Sequence, residues 1–282
     1  MVTREQIYKK LIKSLYKMDA YILHRIALYV KDYKIVKLLF YISEYRDLID
    51  TSDYHYDELV LNYSKIDWMT DNLRMIQSFY RLNISYVYSH SHMDIGAYKG
   101  HLEVVKWLHE NLKEGCTTLA MNFAANNGHI EIVKWLHENR YEGCTALAMD
   151  FAAENGNLEI VKWLHENRKE GCTKNAMDLA AYNDHLEIIQ LLHYNRNEGC
   201  TKKAMNWAAN NGNLEIVKWL HENRKEGCTT DAMDWASGNG NIEMIKWLHE
   251  NRKEGCTKRA MKYATKYSHL EVVKWLKENM KN

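Results

Sequence analysis

The chain has 282 residues, no proline and only 13 glycines, with 46% hydrophobic residues. That composition supports a core of ordinary size, but it disfavours a sandwich or barrel built on many tight turns and favours helices joined by short loops. Lys and Arg number 38 against 37 Asp and Glu, a net charge of +1, which supplies no long-range field to attract nucleic acid or an anionic membrane.

Residues 1–60 are rich in lysine and tyrosine. Apolar residues there recur at spacings of three and four, as at Ile7, Leu11 and Leu15 and again at Ile22, Ile26 and Val30, the pattern of amphipathic helices. Between Met1 and Ala20 the lysines interrupt every apolar run, so neither a signal peptide nor a membrane span is expected and a cytoplasmic location follows. The segment Lys34–Leu39 echoes a motif that returns later, as does Asn72–Phe79. These echoes divide the chain into an N-terminal helical region or cap over 1–60, a degenerate repeat over 61–88, and a regular array over 89–282.

The array has a period of 28 residues and seven units. Tryptophan recurs at Trp107, Trp135, Trp163, Trp219, Trp247 and Trp275, with Leu191 in the remaining slot, and cysteine recurs at Cys116, Cys144, Cys172, Cys200, Cys228 and Cys256. A fixed period of this size indicates a solenoid of stacked supersecondary units. Within the unit from Gly143 to Arg168, Thr145 is placed to cap a first helix, Ala148, Met149, Ala152 and Ala153 give that helix a thin apolar face, and Asn155-Gly156 ends it. A second helix over about 157–167 carries Leu158, Ile160, Val161, Trp163 and Leu164, a stripe wide enough to call for burial on both sides. Helices this short are marginal alone, so stability must come from stacking. Lys262, Lys266, Lys277 and Lys281 make the last unit polar, and Ser268 replaces its turn glycine.

Asp231-Ala-Met-Asp-Trp-Ala-Ser aligns with the ankyrin signature Thr-Pro-Leu-His-x-Ala-Ala, and Gly240-Asn-Ile-Glu-Met-Ile-Lys-Trp-Leu248 follows the family's Gly-His-x-Glu-Val-Val-x-Leu-Leu. Gly100–Leu108 and Gly128–Leu136 do the same. The chain thus resembles ankyrin repeats from about residue 89 onward. The resemblance implies an all-α, ankyrin-like solenoid of stacked helix-turn-helix repeats. Because the usual unit has about 33 residues, the β-hairpins are expected to be reduced or absent. In its Trp-Leu-His-Glu-Asn form the repeat is similar to those of giant DNA viruses of amoebae and of some protists, which would make the compartment a host cytoplasm.

The repeated histidines at 109, 137, 165, 193, 221 and 249 and the cysteine seven residues beyond each look like chemistry. One histidine and one cysteine per unit do not make a zinc signature, and packing or helix-end hydrogen bonding is the expected role. His90-Ser-His92 reads as a cap or loop at the start of the array. Asp150, Asp178 and Asp234 share a slot with Asn122 and Asn206, an exchange that a general acid or base would not survive. No phosphate loop or nucleophile elbow occurs, so no catalytic residue, cofactor or metal is assigned and the protein is read as non-enzymatic.

Binding is read from the slots that differ between units, since residues needed for stacking must repeat. The variable slots follow the cap threonine and end the first helix, and they nominate Leu119, Leu147, Lys174, Asn175, Tyr182, Lys202, Lys203, Asp231, Lys258 and Arg259. In the family, first helices and adjoining turns line the concave face, which implies a protein-interaction scaffold, expected to be monomeric and free of membrane. The alternative is an adaptor whose residues 1–60 recruit a ubiquitin ligase while the array holds a client. Nucleic-acid binding through Lys174, Lys202, Lys203 and Lys258 is disfavoured by the neutral balance. Trp207 is expected to fill volume left by the missing tryptophan at 191.

Overall fold

The computed structural model describes residues 90–280. The readings of 1–60 as a cap or recruiting region and of 61–88 as a degenerate repeat lie outside the described residues, as does Lys281. Fourteen α-helices and no strand occur among the described residues. They form seven pairs: α1 (His90–Tyr98) and α2 (Leu102–Asn111), α3 (Thr118–Asn126) and α4 (Ile130–Asn139), α5 (Leu147–Glu154) and α6 (Leu158–Asn167), α7 (Lys174–Tyr182) and α8 (Leu186–Asn195), α9 (Lys202–Asn211) and α10 (Leu214–Asn223), α11 (Thr230–Gly238) and α12 (Ile242–Asn251), and α13 (Lys258–Lys266) and α14 (Leu270–Asn279). The shortened unit therefore keeps the helix pair and dispenses with the hairpin.

Packing divides the chain into two compact units. The described residues of the first are 90–96 and 103–115, and those of the second are 97–102 and 116–280. In the first, Met93, Val104, Val105 and Leu108 are buried, and a Cβ at Gly96 would stand 3.4 Å from Val105.

In the second unit the closest packing joins the first helix of each repeat to the next, α3 to α5 and so on to α13. Alanine makes this possible: Ala120, Ala124, Ala152, Ala180, Ala208 and Ala236 have no exposed surface, and a methyl group lets two helix backbones approach. The second helices touch their neighbours less. Their core stripe is narrower than expected. Ile160, Val161 and Leu164 are buried, but Leu158 and Trp163 are only half-buried, because the bulkier side chains hold α4, α6 and α8 further apart than the alanines hold the first helices. Burial of each such aliphatic group contributes about 1.5–3 kcal/mol.

The turns follow from their sequence. Thr173 Oγ1 accepts the Asn175 N–H at 3.1 Å to open α7, and Thr145 serves Leu147 in the same way at 3.3 Å. Gly156 has φ of 76°, whereas Asp184 and Ser268 take φ of 66° and 60° without being glycine, at a cost of roughly 1–2 kcal/mol each. Asn167 Nδ2 donates back to the Trp163 carbonyl at 2.8 Å, so the asparagine of each Trp-Leu-His-Glu-Asn closes its own helix.

Candidate recognition face on the first helices

Most polar side chains of the repeat are used up in joining one unit to the next. The buried acidic slot comes first. Asp150 accepts both the backbone N–H and the hydroxyl of Thr173, Asp178 does so from Thr201, and Asp234 from Thr257. Where asparagine takes the slot, Asn122 Oδ1 accepts the Thr145 N–H at 3.0 Å and its Nδ2 donates to the Thr145 hydroxyl at 2.9 Å. Either residue fits because a hydroxyl both donates and accepts. Burial pushes the Asp150 carboxyl above its ordinary range, against the opposing pull of the two Thr173 bonds.

A second joint caps the carbonyl end of each first helix from the following unit. Asn127 Nδ2 donates to the Tyr98 carbonyl at 2.7 Å, and His129 Nε2 meets the same oxygen at 3.1 Å. Asn157 reaches the Ala125 and Asn126 carbonyls at 3.0 and 2.9 Å. The variable Asn or His after the turn is therefore a joint at 129, 157, 241 and 269, and the left-handed turn glycine of the preceding unit makes room for it: a Cβ at Gly100 would stand 2.6 Å from the His129 ring.

The third joint holds the histidine and cysteine series. Arg168 Nη1 lies 3.2 Å from His137 Nδ1, and Arg196, Arg224 and Arg252 meet His165, His193 and His221 at 3.2–3.3 Å. A guanidinium only donates, so Nδ1 is the acceptor in each of these contacts. Each arginine also pairs with the glutamate two residues on, as Arg196 does with Glu198 at 2.5 Å. The tryptophan of the next unit stands edge-on to the ring, with His137 and Trp163 centroids 5.1 Å apart and His193 and Trp219 likewise. The cysteines are free thiols, and Cys144, Cys172, Cys200 and Cys228 each lie beside one of these arginine–glutamate pairs. Burial raises Cys144 to about 11 and Cys172 and Cys200 to about 12, with the neighbouring glutamate adding to the effect. Thiols so protonated are poor nucleophiles and poor metal ligands at neutral pH. Among the described residues no group of three or more His, Cys, Asp or Glu is placed to hold a metal ion. His92 is buried inside α1 and is no loop or cap residue.

The variable slots nominated from the sequence lie on the first helices and are mostly exposed. Leu119, Leu147 and Tyr182 are 43%, 42% and 42% exposed, and Lys174, Asn175, Lys202, Lys203, Lys258 and Arg259 are exposed as well. Asp231 is half-buried and pairs with Arg259 at 3.1 Å. Positions i, i+4 and i+7 share a helix face, so Leu119, Leu147, Asn175, Lys203 and Arg259 stand four residues before, and Tyr182 three residues after, the half-buried slot that includes Phe123, Phe151 and Trp207. Tyr98, which occupies the Tyr182 slot in the first repeat, belongs here too: it is 48% exposed and edge-on to Phe123 at 5.7 Å. Internal comparison of the repeats could have found it.

Trp207 does not fill the space at position 191. It is half-buried on the first-helix face, 5.8 Å from the Tyr182 ring and beneath the Lys203 ammonium at 5.4 Å. Position 191 sits on the second helix, where Trp163, Trp219, Trp247 and Trp275 each meet a histidine edge-on, and Leu191 leaves His165 with Arg196 but without such a ring. The two slots belong to different layers of the stack.

No helix among the described residues is long and apolar enough to cross a membrane. The family model described as ankyrin repeats (3 copies) matches residues 93–178, 148–234, 177–257 and 205–282. No curated protein matches the chain.

Proposed function

The chain belongs to the ankyrin repeat family, whose arrays generally mediate protein–protein interaction, and from that premise we propose a non-enzymatic scaffold that binds a protein partner through the exposed face of its first helices. One observation supports this reading. Along the first helices the alanine slots recur and are buried against the next repeat, while the nominated variable slots, from Leu119 to Arg259, are exposed or half-buried. In this reading the face is the concave one, the partner lies across several repeats, and the protein works as a monomer in a cytoplasmic setting.

The test compares proteins retained from cells that express it by the full-length chain and by three variants. Two alter the face, Leu119→Asp with Leu147→Asp and Lys202→Glu with Lys203→Glu. The third alters the solvated side of α6, Lys162→Glu with Glu166→Lys. Retention lost in either face variant and kept in the α6 variant supports the reading. Retention unaffected by both face variants overturns it.

A further inference from the structure

Resting on the scaffold reading, we infer that the first-helix face is polarised to take an acidic protein segment in one orientation, apolar side chains over α3 and α5 and carboxylates over α7, α9 and α13. The two ends of the face differ in kind. α3 and α5 contain no lysine or arginine, and they present Leu119 and Leu147 beside the half-buried Phe123 and Phe151. α7, α9 and α13 carry Lys174, Lys202, Lys203, Lys258 and Arg259, all exposed.

Most of these cations lack a carboxylate. Among the described residues Lys174, Lys202, Lys203 and Lys258 form no ion pair, and Arg259 is paired with Asp231. Two stand over aromatic rings, the unpaired Lys203 over Trp207 at 5.4 Å and the paired Arg259 over Tyr263 at 5.6 Å. A cation seated on a ring keeps its charge and loses part of its side-chain freedom before a ligand arrives. The net charge of +1 for the whole chain therefore conceals a local positive field, which is what charge complementarity requires.

A protein segment fits this face better than a nucleic acid does. A polyanion draws its affinity from cations along its whole track, whereas here the track gives way to leucine and phenylalanine and is crossed by Glu154 and Asp231. From α3 to α13 there are five steps between first helices. At about 8–10 Å per step, an extended chain of roughly 12–15 residues at about 3.3 Å each would cover them.

The experiment selects a displayed library of random 16-residue peptides on the full-length chain. The enriched pool is expected to be net acidic, with Leu, Ile or aromatic residues grouped at one end and Asp or Glu at the other. Chains carrying Lys202→Glu with Lys203→Glu should bind the best acidic peptide at least tenfold more weakly, and raising the salt to about 0.5 M should weaken it similarly. A pool without acidic bias, or an acidic peptide bound equally by the charge-reversed chain, overturns the inference. So does a 20-nucleotide single-stranded DNA that binds more tightly than the best peptide. Enrichment that is abolished by Leu119→Asp with Leu147→Asp yet shows no acidic bias removes this inference and leaves the scaffold reading in place. Enrichment indifferent to every face substitution removes both.

Discussion

Asp150 Oδ2 accepts the Thr173 hydroxyl at 2.6 Å while Oδ1 accepts the Thr173 backbone N–H at 2.7 Å, so a buried carboxylate in one repeat fixes the helix N-cap of the next. Asp150→Asn should keep both contacts, with the hydroxyl now accepting, as Asn122 and Thr145 show. Because burial raises the Asp150 carboxyl, its charged form is the unfavourable one, and its contribution to stability falls as pH rises through the folded value. At neutral pH Asp150→Asn is therefore expected to be neutral or slightly stabilising. Asp150→Ala should lose about 1–3 kcal/mol by leaving the Thr173 N–H unbonded. Urea unfolding of the three proteins at pH 7 checks the order, and an asparagine variant as weak as the alanine variant would refute it.

Gly171 and Gly255 separate two effects of the same substitution. Both have positive φ, 69° and 66°, but a Cβ at Gly171 would collide with the Arg196 guanidinium, while at Gly255 it meets only Met280 at 3.9 Å. Gly255→Ala should cost about the left-handed penalty, roughly 1–2 kcal/mol. Gly171→Ala should cost clearly more, since it also displaces the clasp on His165. Equal losses in thermal unfolding would mean that the clasp adds nothing.

The glutamates of the clasps predict an acid limb. The Arg196 hydrogen bond holds Glu198 down to about 2; at Glu254 burial works the other way, yet the Arg252 bond and charge still bring it to about 2. A depressed carboxylate contributes stability above its ordinary value of 4.5, and that contribution is lost as pH falls from there towards about 2. The melting temperature should therefore decline over this window. Glu198→Gln with Glu254→Gln should lower it at pH 7 and flatten the decline; an unchanged slope argues against the clasps as its source.

Cysteine reactivity should grade along the array. Cys144, Cys200 and Cys228 are buried, whereas Cys256 is half-exposed and has Met280 where the other units place arginine. Burial still lifts Cys256 to about 11. Iodoacetamide at pH 8 should label the native protein slowly, Cys256 first, with full labelling only in denaturant. Rapid labelling of Cys144 or Cys200, read by peptide mass, would contradict the packing described.

Trp207→Ala is expected to cost about 2 kcal/mol, below the roughly 3–5 kcal/mol of a fully buried aromatic, since the ring is half-exposed beside Tyr182. A chemical denaturation curve distinguishes the two values. A loss of 4 kcal/mol or more, on the order of a core residue, would place the ring in the stack and take it off the face.

The sequence by itself determined the period, the helix pair, the missing hairpin and the separation of repeated from variable slots, because each follows from local rules of capping, apolar spacing and glycine placement. It also read the histidines and cysteines as packing residues. Only the tertiary structure decided what they pack against. Asp150 meets Thr173 across 23 residues, Asn183 meets Glu154 across 29 and Arg168 meets His137 across 31. A slot that recurs every 28 residues looks the same whether it serves its own unit or the next, so recurrence cannot assign its partner. The same degeneracy misplaced Trp207, whose layer was fixed by which helix carries it, and a chain total close to zero hid the charge separation of the proposed recognition face.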